Sequence, residues 1–219
     1  MDTVFKRTKK DSPGKIISSN MYNMTIGLVL AYGFTVNWLM VKNIPVDLIV
    51  TINPFLFVGG YILSCGVGVY LFVKSENPFV SFLGYNFVVV PFGLIINVVV
   101  SQYEPELVLE AMRVTGMVTI VMMLLGTLFP KFFQKIVGTL TVALFVVIII
   151  ETVEIILLKS HHGITDFIVV AIFCGYIGYD WGRANSIPKT VDNAVDSAAS
   201  LYMDIIILFL RILRILSRR

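Results

Sequence analysis

Seven stretches of this chain are apolar over roughly the thickness of a lipid bilayer. They run over about 20–41, 46–73, 79–100, 107–128, 133–158, 164–181 and 193–214. A hydrocarbon core of about 30 Å takes about 20 mostly apolar residues in a helix. Lipid offers no hydrogen-bond partners, so runs of this length must satisfy their backbone internally, as helices do. The breaks between runs carry turn chemistry: Asn43-Ile44-Pro45, Glu76-Asn77-Pro78, Glu104-Pro105-Glu106, Phe129-Pro130-Lys131, His161-His162-Gly163 and Asn185-Ser186-Ile187-Pro188. The chain is therefore expected to be all-α, a polytopic membrane protein built as a seven-transmembrane-helix bundle. Residues 1–19 read as a basic cytoplasmic N-terminal segment and 20–216 as one seven-helix transmembrane domain. Composition excludes a soluble domain, since 57% of the 219 residues are hydrophobic and 14% are charged. No cleaved signal peptide is expected, because the first apolar run is long and lacks a small-residue cleavage site.

Orientation follows the lysines and arginines of the short loops. With the N-terminus inside, the inner side collects Lys6, Arg7, Lys9, Lys10, Lys15, Lys74, Lys131, Lys135, Arg183 and Lys189, against Lys42 and Lys159 outside. The expected location is the cell membrane, multi-pass, with a cytoplasmic N-terminus. An odd number of spans leaves Arg211, Arg214, Arg218 and Arg219 outside, against the same rule, unless one late segment is re-entrant.

Charge inside hydrocarbon costs at least ~2.5 kcal/mol on insertion scales, so a buried charged residue faces a partner or a water-filled cavity. On the last run, Asn193, Ser197, Ser200, Asp204 and Arg211 are spaced 4, 3, 4 and 7 apart, the spacing of one helical stripe, and Asp196 lies beside it. These are candidate pore-lining residues. An interfacial first turn accounts equally for Asn193, Asp196 and Ser197, though not for Asp204, which lies about eleven residues into the span. Asp180 closes the sixth run, and the short connection makes the last two helices antiparallel neighbours. With straight helices ending where the runs end, Asp180 and Asp204 are offset by up to ~18 Å. A sixth helix continuing to about Asn185 narrows that gap. If the two meet in low dielectric, both cannot ionise cheaply and one proton is shared. Protonated, the pair is a strong O–H···O bond between two helices. Deprotonated, it repels itself and offers oxygen ligands to a hard cation such as Ca²⁺, a transient metal site at most.

Other signals are weaker. Glu151, Glu154 and Arg113 fall toward the predicted outer side as a candidate cation-attracting vestibule, with an Arg–Glu structural pair as the alternative. Cys65 and Cys174 lie in apolar runs and read as packing residues. Gly59, Gly60, Gly66 and Gly68 in the second run read as close helix packing, with Gly60 and Ser64 at the spacing of a small-residue helix contact. His161 and His162 lack a third ligand nearby. There is no phosphate loop, HExxH, nucleophile elbow or CxxC, so an enzyme is not expected.

The run GYIGYD, followed by DNAVDSAASLYMDIIILFLRIL, resembles the C-terminal signature of the Bax inhibitor-1 family, whose sixth helix ends in Tyr-Asp and whose last helix carries LYLDIxNLFLxLLRIL. Here those positions are Tyr179-Asp180 and Leu201 to Leu213. Upstream, VLEAMRVTGMVTIVMMLLG (Val108 to Gly126) looks like the family's fourth helix, with Ala111 and Thr115 at its Ala and Thr positions. The resemblance implies a seven-helix bundle with a central C-terminal helix. It also implies a pH-sensitive calcium leak channel gated by the Asp180–Asp204 pair. Two departures stand out: Ile207 replaces an asparagine of the motif, and the second run lacks the arginine that some bacterial members place near the aspartates. The alternative reading is a non-conducting regulatory membrane protein that binds and modulates a membrane protease or another membrane complex. Expected partners are the bilayer, calcium ions and, on the second reading, a membrane protein, with no nucleic acid. No cofactor is expected; calcium is the transported ion and protons are the regulator.

Overall fold

The computed structural model of the chain describes residues 14–158 and 163–218. Lys6, Arg7, Lys9, Lys10, Lys159, His161, His162 and Arg219 lie outside the described residues, so the topology and histidine readings that use them are not addressed. The described part is helical: α1 (Ser19–Asn43), a short α2 (Val46–Val50), α3 (Pro54–Lys74), α4 (Pro78–Val100), α5 (Pro105–Leu128), α6 (Pro130–Val153), a π-helical turn (Glu154–Leu158), α7 (Gly163–Ala184) and α8 (Val191–Leu216).

Proline sets the helix starts. Pro54, Pro78, Pro105 and Pro130 open α3, α4, α5 and α6, where the missing N–H is not needed and φ is already helical. Asn53 and Asn77 stand just ahead, their side chains accepting from the backbone of Phe55 and Phe79 at 2.9 Å each. The first of these caps corrects the expected second span. Residues 46–73 do not form one helix, because α2 stops at Val50 and the long helix starts afresh at Pro54.

Among the described residues, six helices are long and apolar enough to cross a membrane: α1, α3, α4, α5, α6 continued to Ile156, and α7. The last helix, which carries Asp192, Asp196, Asp204, Arg211 and Arg214, is not one of the six. It is the most buried element: from Asp192 to Leu216 none of its residues is exposed. By contrast, the only buried positions of α3 are Gly68 and Phe72.

The chain divides into two compact units. The first comprises the residues up to Gln102 with Ser186–Tyr202. There α3 and α4 meet at two glycines: a Cβ on Gly68 would lie 2.5 Å from the Gly84 carbonyl oxygen, and one on Gly84 would lie 2.7 Å from that of Gly68. Of the four glycines of the second run expected to pack closely, Gly68 does, while nothing lies within 4 Å of a Cβ on Gly59, Gly60 or Gly66. Ser64 has a different task. Pro91, inside α4, has no N–H for the carbonyl of Phe87, and the Ser64 hydroxyl donates to that carbonyl at 2.8 Å. The α1–α4 contact is pinned by Asn37, whose amide donates to the Val89 carbonyl at 3.0 Å while its own oxygen accepts from Tyr202 at 2.5 Å.

The second unit comprises Tyr103–Asn185 with Met203–Arg219. There α5 and α7 approach backbone to backbone at Gly126, Gly178 and Gly182, where side chains would collide with main chain or with Phe133. The Trp181 indole donates to Thr127 at 2.8 Å and Tyr176 to Thr141 at 3.0 Å, tying α7 to α5 and α6. Ala111 and Thr115 are buried one turn apart, with the Thr115 hydroxyl donating to the Ala111 carbonyl at 2.7 Å.

Candidate functional site: a buried carboxyl pair and an arginine clamp

α7 and α8 bring two sets of charged residues together inside the second unit. At the first set, the Asp180 and Asp204 carboxyls face each other within side-chain hydrogen-bonding reach. A hydrogen bond between two carboxyl groups requires a proton on one of them. α7 does not stop at 181, as the apolar run does, but continues to Ala184. Asp204 is 8% exposed and the Asp180 side chain 13%. A cation accompanies the pair: Arg183 sits one turn beyond Asp180, 3.6 Å from its Oδ1. The second run lacks an arginine, as read from the sequence, but the longer α7 puts Arg183 in its last turn, 8% exposed, where it and not a residue of the second run supplies a cation beside Asp180.

The second set is an ion-pair cluster that sequence reading did not anticipate. Asp166, in the first turn of α7, is fully buried. It accepts hydrogen bonds from Arg211 at 2.9 Å and Arg214 at 3.1 Å, and it forms an ion pair with Arg218, whose guanidinium lies 3.0 Å from Oδ2. Glu151, near the end of α6, takes the other face of Arg211 in a two-pronged contact, with Nη2 at 2.9 Å from Oε2. Bidentate pairing of this kind is what the planar guanidinium favours. Gly163 makes room for it, since a Cβ there would collide with the Arg218 guanidinium. The signal was present in the spacing of Arg211, Arg214 and Arg218, which stacks three cations on one helical face and calls for a buried anion.

The remaining candidates go elsewhere. Asn193 donates to the Pro188 carbonyl at 2.7 Å, and Ser197 donates to the Asn193 carbonyl at 2.7 Å. Ser197 also shares a 3.1 Å hydrogen bond with the Tyr22 hydroxyl. Asp192, capped into the first turn of α8, accepts from Ser81 at 2.7 Å. Asp196 is buried and Ser200 half-buried. Arg211 belongs to the clamp. Of the vestibule candidates, Glu151 pairs with Arg211, Glu154 is buried on the π-helical turn, and Arg113 is exposed on α5. Among the described residues, no group of three or more His, Cys, Asp or Glu is placed to hold a metal ion. Among the described residues, Asp180 and Asp204 thus have no third such residue placed with them as a ligand set.

Six membrane-length helices and buried charges define a multi-pass membrane protein. The family model described as "Inhibitor of apoptosis-promoting Bax1" matches residues 15–219, and the chain belongs to this Bax inhibitor-1 family. A comparison with curated proteins finds no match.

Proposed function

We propose that the chain is a pH-sensitive calcium leak pathway of the cell membrane, with α8 as a seventh pass and the N-terminus in the cytoplasm. The Asp180–Asp204 pairing supports this reading: a proton-dependent contact between two helices, buried where an ordinary core would place apolar residues. With one proton shared, the bond holds α7 and α8 together. With that proton gone, two like charges about 4 Å apart repel by about 4 kcal/mol at an effective dielectric of 20. Arg183 is already placed to take Asp180 as an ion-pair partner, which gives the opened pair somewhere to go. Its oxygens then face a cation as hard ligands. Three of the four arginines that counted against an outward C-terminus are paired within the protein, Arg211 with Glu151 and Asp166, and Arg214 and Arg218 with Asp166; the two carboxylates offset two of the three positive charges, so these arginines weigh less on topology. Calcium entry into indicator-loaded proteoliposomes tests the reading.

One observation favours the second reading, a non-conducting regulator of a membrane protease or other membrane complex. Asn193 and Ser197 spend their hydrogen bonds on Pro188, Tyr22 and the backbone of α8, as residues fixing a helix do. On that reading no flux above empty liposomes is seen, and the carboxyl pair only secures the last helix.

A further inference from the structure

The carboxyl pair cannot keep its own register, because the contact depends on one proton. Apolar faces do little to fix it in lipid, which is as apolar as the side chains and gives helices no hydrophobic reason to meet at one height. The clamp has what the pair lacks. Its contacts are between permanent opposite charges, three arginines on one buried carboxylate. The two sets also lie along the same antiparallel helix pair: Asp180 lies fourteen residues after Asp166 on α7, about 21 Å of helix, and Asp204 lies seven to fourteen residues before the arginines that meet Asp166, Arg211 and Arg214 within α8 and Arg218 just past its end. Gly163 adds a second observation, because the start of α7 is kept free of a side chain where Arg218 lies.

We propose that Asp166, through Arg211, Arg214 and Arg218, is the positioning residue that sets the height of α8 against α7 and so brings Asp204 opposite Asp180. Glu151 holds the far side of Arg211 and keeps that guanidinium pointed at Asp166. A slip of one turn, about 5.4 Å, puts Ile207 or Leu208 opposite Asp180 and removes the pair altogether. The clamp allows the pair to part and meet again at the same height. The proposal is geometric and stands or falls apart from conduction.

The test uses the full chain in liposomes, with Cys65 and Cys174 replaced by serine and with Asp180→Cys and Asp204→Cys introduced together. That double change removes the proton-sharing bond, so only the clamp is left to set the register. A short bis-thiol reagent reads the proximity. A control pair, Thr127→Cys with Trp181→Cys, reads the α5–α7 contact. With Asp166 intact the 180–204 cross-link forms. Asp166→Asn lowers its yield at least about fivefold and raises cross-linking of Asp180→Cys with Ile207→Cys, as expected for loss of a charge-paired contact. Asp166→Glu restores the original pattern, and the control pair is unchanged throughout. An unchanged 180–204 yield in folded Asp166→Asn protein overturns the proposal. Equal loss at both pairs also overturns it, because Asp166 is then a general stabiliser. If Asp166→Asn protein does not accumulate, Arg214→Gln with Arg218→Gln is judged by the same two pairs and the same outcomes.

Discussion

Asp180 and Asp204 face each other within hydrogen-bonding reach, with Arg183 standing 3.6 Å from Asp180 on its own helix. Three interactions thus compete for one carboxyl group: a shared proton, a like charge and a cation. On the proposed reading, proton availability decides which of them prevails.

Asp166→Ala is expected to be among the most destabilising single changes in the chain. It leaves three guanidiniums around a cavity with Glu151 as the neighbouring anion. Breaking a buried ion pair from one side costs about 3–5 kcal/mol. Thermal unfolding in detergent is the check; a Tm equal to that of the wild type would show that the clamp contributes nothing.

Ser64 and Pro91 are predicted to be coupled. Ser64→Ala leaves the Phe87 carbonyl without its donor and costs about 1–2 kcal/mol. In a Pro91→Ala background the restored N–H reaches the same carbonyl, and Ser64→Ala becomes nearly neutral. A double-mutant cycle on unfolding stability gives the coupling directly, and additive effects would rule out the shared carbonyl.

Gly68→Ala is expected to cost about 1–3 kcal/mol, because the new methyl group meets the Gly84 carbonyl. Gly60→Ala, with nothing within 4 Å, is expected to be neutral or to stabilise the helix by about 0.5–1 kcal/mol. Parallel thermal melts separate the two, and equal destabilisation would contradict the packing described.

Tyr202→Phe removes the donor to the buried Asn37 oxygen at 2.5 Å and is expected to cost about 1–3 kcal/mol. Tyr70→Phe, on an exposed tyrosine, is the control. Similar melts for both variants would show that the Asn37 contact carries no weight.

The helices were legible because apolar length and proline punctuation are local properties: Pro78, Pro105 and Pro130 open helices within two or three residues of the runs they precede. The break at Asn53-Pro54 was missed because hydropathy continues smoothly across it. Asp180 and Asp204 were visible as charges in apolar sequence, and the motif resemblance linked them. Their contact was left open, because the sequence allows α7 either to stop at the end of the apolar run or to run on through Gly182 and Arg183, as it does. Asp166 was hidden for the opposite reason. It sits where an interfacial aspartate is unremarkable, and only the fold brings three arginines from 45 or more residues away onto it. The polar stripe of α8 was correctly spaced, but it divides among partners: Asn193 and Ser197 with Tyr22, Asp204 with Asp180, and Arg211 with Asp166.

The most direct measurement is calcium entry into proteoliposomes loaded with a fluorescent indicator, from about pH 5 to 8, for the wild type beside Asp180→Asn and Asp204→Asn. An amide still donates to the remaining carboxylate but removes the like-charge repulsion, so the contact no longer depends on pH. The account predicts a wild-type leak that rises as the shared proton is lost and a low, flat leak in both variants. No leak above empty liposomes for folded wild-type protein, or an unchanged pH profile in the variants, would contradict it.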